Sequence, residues 1–176
     1  MDMIYVVAKA ITFPGAEFKA VIEHLVYRMF KIPIEDSRHF RANEMFGHIE
    51  HELTHGPKSF IICFLPSVIS FILGLLMLIE PSVRIFYFGS FDIMSFIYLY
   101  FGVSFLTNIF PLREDSLAMW ESLYNGDGKS SASKIFLFIP ALSLRVFSIL
   151  EHTGITLLTS LGFAVILPFI IARFLG

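Results

Sequence analysis

From Ser59 to Ile79 the chain reads S-F-I-I-C-F-L-P-S-V-I-S-F-I-L-G-L-L-M-L-I, with no charged side chain. Wound as an α-helix at about 1.5 Å per residue, this stretch covers the roughly 30 Å hydrocarbon core of a bilayer. Pro66 and Gly74 lie inside it, and in a membrane helix both residue types accompany a kink or the close approach of a neighbour. Working outward, a second apolar run extends from Ile93 to Leu112, bounded by Asp92 and by Arg113-Glu114-Asp115. Two more, Ile135 to Leu150 and Thr153 to Ala172, are separated by Glu151-His152, which predicts a tight helical hairpin. The pattern as a whole predicts an all-α integral membrane protein with about four transmembrane helices.

Composition agrees. Hydrophobic residues make up 56% of the 176 residues and charged ones 16%, too apolar a balance for a water-soluble domain of this length. The 21 Phe residues suit helix contacts and acyl chains. A formal charge of -2 with scattered Lys and Arg excludes nucleic acid as an expected partner. The single cysteine, Cys63, sits in the first apolar run, so no disulfide framework or cysteine metal site is expected. The Met-Asp-Met start lacks the basic region and cleavage site of a signal peptide, so the chain is expected to begin near Met1.

Residues 1–58 differ in character. Glu17, Lys19, Glu23, His24, Arg28 and Lys31 alternate with apolar residues at helical spacing between Ala16 and Ile32, which predicts an amphipathic helix at the membrane interface. The expected organisation is a single membrane domain: an interfacial region at 1–58, a helix pair at 59–112, a polar loop at 113–134 and a C-terminal hairpin at 135–176. Lys19, Arg28, Lys31, Arg38, Arg41 and Lys58 precede the first span and only Arg84 follows it before the next. That asymmetry favours a cytoplasmic N-terminus and, with four crossings, a cytoplasmic C-terminus.

Three features could carry chemistry. His51-Glu52-Leu53-Thr54-His55 matches H-E-x-x-H, in which two histidines one helical turn apart share a zinc ion and the Glu activates its water. Gly56-Pro57 follows at once and would end such a helix. A solvated or interfacial loop is the competing reading. Arg145 interrupts an apolar run and is expected to pair with a polar neighbour. Gly128-Lys129-Ser130 has the ending of a phosphate loop, but Leu123 stands where that loop needs Gly, so it reads as a turn. Asp92 reads as a solvated span end.

Three blocks, taken in order, carry a family resemblance. F-P-G-A-E-F-K-A-V-I-E-H-L-V-Y-R-M-F-K-I-P-I-E-D (Phe13 to Asp36) resembles the P-G-x-x-x-H-E-x-x-H helix of small integral-membrane metalloproteases related to the site-two proteases. G-H-I-E-H-E-L-T-H-G-P-K-S-F (Gly47 to Phe60) is similar to that family's G-Y-V-x-H segment before a long span. F-G-V-S-F-L-T-N-I-F-P-L-R-E-D (Phe101 to Asp115) resembles its G-x-S-x-x-x-x-x-F-P-x-x-x-D block, whose closing Asp is the third zinc ligand. The resemblance implies a lost catalytic motif, because Lys19, Ala20 and Glu23 stand where the family has His, Glu and His. Lys19 and Glu23, four apart, can pair with each other.

Two functions follow as expectations. The first is a pseudoenzyme without a cofactor: a scaffold or accessory subunit in contact with lipid and with other integral membrane subunits. Gly74, Gly102, Ser104 and Gly162 would supply its helix contacts with a partner. The alternative is a zinc peptidase with His51, His55 and Asp115 as ligands and Glu52 as base.

Overall fold

The long apolar stretch forms helix α3 (Pro57–Ser82), which continues as a π-helical turn over Val83–Tyr87. In this computed structural model, residues 3–38, 48–51, 57–124 and 132–175 are described. Before α3 come α1 (Met3–Ile11), α2 (Phe13–Met29) and a two-stranded antiparallel ribbon of β1 (Ile34–Arg38) and β2 (His48–His51). After it come α4 (Ile93–Thr107), α5 (Arg113–Tyr124), α6 (Ala132–Phe136), α7 (Phe138–His152) and α8 (Ile155–Leu175). The fold is helical, as expected, with the ribbon as an addition to the all-α reading. Two helical stretches, Lys58–Tyr87 and Ile155–Phe174, are long and apolar enough to cross a membrane. The other two expected spans are shorter, since α4 and α7 have 15 residues each.

α3 accommodates Pro66, whose missing N–H leaves one carbonyl of the preceding turn without its helical donor. On the next residue, the Ser67 hydroxyl donates to the Cys63 carbonyl at 2.8 Å. At its far end Arg84 pairs with Glu80 and reaches Asp92 at 3.2 Å. Asp92 caps α4 by accepting from the Ser95 N–H at 2.6 Å and from the Ser95 hydroxyl at 2.9 Å. These hydrogen bonds, with Arg84 beside it, hold the Asp92 carboxyl below the usual aspartate range. Asp92 is therefore a helix cap at a span end, in line with its reading as an end residue.

Glycine sets how closely α3 and α4 approach. A Cβ on Gly74 would lie 2.8 Å from Leu106, and one on Gly102 would lie 3.0 Å from Leu78, so the two helices touch backbone to side chain at both levels. Leu78, Val103 and Leu106 pack there with Ala164 of α8. A second cluster joins Phe60 and Cys63 of α3 to Met119 and Leu123 of α5 and to Ala141 and Leu144 of α7. Three of the four small residues expected to face a partner thus face this chain itself, Ser104 through its contact with Gly15. Gly162 has nothing within 4 Å.

Two segment assignments need correction. The stretch from Arg113, expected as the start of a polar loop, is helix α5 as far as Tyr124; its Ser116, Met119 and Leu123 are buried against α3 and α7. The expected C-terminal hairpin is also absent: α7 packs on α5 and α8 on α4, so the two helices run on rather than fold back.

Candidate functional site

Helix α2 is amphipathic, but in the sense opposite to that of an interfacial helix. Gly15, Lys19, Glu23 and Tyr27 recur at intervals of four, share one face and are all buried, as is Glu17. Phe18, Val21, Leu25 and Met29 are 42% to 73% exposed. In water this would leave charges desolvated and a large apolar surface wet. In hydrocarbon it is the favourable arrangement, with ionisable groups turned to the bundle interior.

Each member of the polar stripe has a partner. The Gly15 N–H donates to the Ser104 hydroxyl at 2.8 Å, and that hydroxyl donates to the Thr12 carbonyl at 2.9 Å. A Cβ at residue 15 would fall 2.1 Å from the Ser104 carbonyl oxygen, so only glycine allows this approach. One turn on, the Lys19 ammonium lies 3.7 Å from the Glu23 carboxylate and donates to the Phe110 carbonyl. Phe110 sits in the break between α4 and α5, where the carbonyl has no helical donor. Its N–H is taken as well, by Glu151 of α7 at 3.0 Å. Beyond Lys19, the charges of Glu23 and Asp115 both act on Tyr27 and Cys63, and the Cys63 thiol faces the Asp115 carbonyl at 3.8 Å.

A second polar group lies beside the first. The Lys9 ammonium contacts Glu151 and Asn108, each at 2.6 Å, and all three residues are buried. The Asn108 amide donates to Thr12 and to the Ser104 carbonyl at 2.8 Å. Lys9 lies 5.6 Å from the Tyr5 ring, which packs on the His152 ring at 4.9 Å. A cleft of about 370 Å³, lined by Tyr5, Arg113, Glu114, Glu151 and His152 among others, opens on this pair. The network ties α1 to α4 and α7 across breaks in the helices, satisfying backbone groups that the breaks set free.

The sequence-predicted residues fall into two sets. Lys19 and Glu23 pair on α2, Asp115 acts on the same Tyr27 and Cys63 as Glu23, and Ala20 is buried on α2. His51 ends strand β2 opposite Ile34, so its backbone is extended at a position where an H-E-x-x-H site needs a helix. Glu52, His55 and Gly128-Lys129-Ser130 lie outside the described residues. Among the described residues Arg145, half-buried on α7, has no ion-pair partner. Sequence reasoning missed Lys9, Asn108, Tyr27 and Cys63 as site members. The available signals were a lone lysine in the apolar run Met3–Ile11 and a glutamate between two apolar runs.

The zinc set of the metalloprotease pattern does not fit these residues. Where two imidazoles would bind a cation there is an ammonium and its carboxylate partner, and no general base follows them. No family model, curated protein or solved structure matches the chain.

Proposed function

We propose that this chain is a non-catalytic membrane scaffold, an accessory subunit of a larger membrane complex with a metalloprotease-like ancestry. The observation that carries the reading is the Lys19 ammonium, buried between Glu23 and the Phe110 carbonyl. It supplies internally the positive charge that a metal would bring to the same carboxylate, and it repels any added cation. Two of the three blocks that suggested the ancestry also touch: Gly15 packs on Ser104, and the Phe110 carbonyl receives Lys19. What remains is a packed helical body with wide apolar faces suited to lipid and to other membrane subunits.

Elemental mass spectrometry on chain purified in mild detergent without chelator tests the first half of this reading. The wild type and a His51→Ala/His55→Ala variant should both carry far less than one zinc per chain. Near-stoichiometric zinc that disappears in the variant would restore the peptidase reading. For the second half, native electrophoresis after gentle solubilisation should find the chain in a complex with other integral membrane chains; migration as an isolated monomer would remove the accessory role.

A further inference from the structure

Helix α3 serves as a ruler for the other elements. At its start Ser59 lies 3.4 Å from Ser122 of α5, and one turn on Cys63 faces the Asp115 carbonyl. Past the middle, Gly74 meets Leu106 and Leu78 meets Gly102 of α4. At the far end Arg84 reaches Asp92. α4 and α5 therefore run in one direction, back along the whole of α3, α4 beside its far half and α5 beside its near half.

The C-terminal pair advances the opposite way. Phe138 packs on Trp120 and Tyr124 at the near end, with ring centroids 5.8 and 5.9 Å away. Ser148 meets Ser116 at 2.6 Å, Glu151 meets the Phe110 N–H in the middle, and Ser160 meets Thr107 at 2.7 Å. Phe169 reaches Tyr87 at the far end, 6.4 Å between rings. From Phe138 to Phe169 a helix rises about 47 Å, close to the roughly 45 Å of Lys58–Tyr87. A hairpin would instead bring Phe138 and Phe169 to one level. Gly154, at φ +76°, provides the break without a reversal of direction.

The N-terminal pair does reverse. Tyr5 packs on His152, Lys9 reaches Asn108, and the Ile11 carbonyl accepts from the Tyr100 hydroxyl at 2.8 Å, so α1 climbs toward the far half. After Thr12, α2 descends past Ser104 and Phe110 until Tyr27 and Ile32 cluster with Ile62 near the start of α3. Its outward face is the apolar one described above.

We infer that the chain crosses the bilayer three times, as α3, as the broken helix α4–α5 and as the broken helix α7–α8, while α1–α2 makes no crossing: α1 starts at mid-depth beside Gly154, and α2 turns back after Thr12 to the near end. The start of α3 and the end of α8 then lie on opposite sides. Arg28, Lys31, Lys58 and Lys134 gather at the near end, against Arg84 and Arg173 at the far end, which makes the near face cytoplasmic and the C-terminus external. Backbone exposed by the breaks lies inside protein, as a bilayer requires, taken up by Lys19, Asn108 and Glu151.

Single cysteines introduced into a Cys63→Ala background, labelled with a membrane-impermeant maleimide from each side in turn, test the assignment. Arg28→Cys and Glu121→Cys should label from the cytoplasmic side, and Ser90→Cys and Arg173→Cys from the opposite side. Labelling of Arg173→Cys together with Arg28→Cys would restore the hairpin and overturn the inference, as would labelling of Glu121→Cys together with Ser90→Cys. If the cysteine-free background does not fold, reporters fused to the C-terminus of the unmodified chain answer the same question. Alkaline phosphatase should be active there and green fluorescent protein dark; the reverse result overturns the inference.

Discussion

Lys19 and Glu23 show what spacing can and cannot reveal. Their separation of four predicted that they pair, and they do, at 3.7 Å. That they pair inside the bundle was not legible, because amphipathicity says which residues share a face and not whether that face meets water or protein. Burial gives the pair its consequence. Lys19→Met would leave a buried carboxylate without its cation and destabilise the chain by about 3–5 kcal/mol. Lys19→Met/Glu23→Leu should recover most of that loss, measured as the midpoint of thermal unfolding in detergent. Asp92 behaves differently, being exposed. Its folded carboxyl titrates below the ordinary aspartate value, so the stability it adds is present at neutral pH and disappears as pH falls through the folded value. Asp92→Ala should therefore unfold at lower temperature than wild type near pH 7, and the gap should close below about pH 4. A gap that persists in acid would mean that the cap acts through something other than its charge.

Helices reveal themselves to composition more readily than their connections do. The uncharged run from Ser59 to Ile79 could hardly be anything but a long helix, and α3 contains all of it. α5 escaped notice because Arg113-Glu114-Asp115 opens it with three charges, and only the spacing of Ser116, Met119 and Leu123 betrays a buried face. The arrangement of α7 and α8 was not legible either, since two apolar runs joined by Glu151-His152 look the same whether the chain reverses or continues. Side-chain size at crossings is an element-scale property, and it separates glycines of similar appearance. Gly15→Ala forces a methyl group against the Ser104 backbone and should destabilise by about 1–3 kcal/mol or more as α2 moves away from α4. Gly162→Ala meets open space in the interior of α8 and should stabilise by about 0.5–1 kcal/mol. Unfolding midpoints that move the same way for both would contradict this picture of the packing.

At the scale of the molecule, the polar residues that matter are far apart in sequence and adjacent in space. Lys9 and Asn108 are separated by 99 positions, and no local pattern could have joined them. Gly15 and Ser104, 89 positions apart, meet in the same way, and their contact was not legible either. Lys9 and Glu151 stand further apart still, 142 positions. A growing chain that adds about 5–20 residues per second brings Lys9 to the bilayer many seconds before the glutamate that neutralises it has been made. The first helix can therefore enter its final place only after the seventh has arrived, and the end of synthesis, not its beginning, completes the assembly of the N-terminal hairpin.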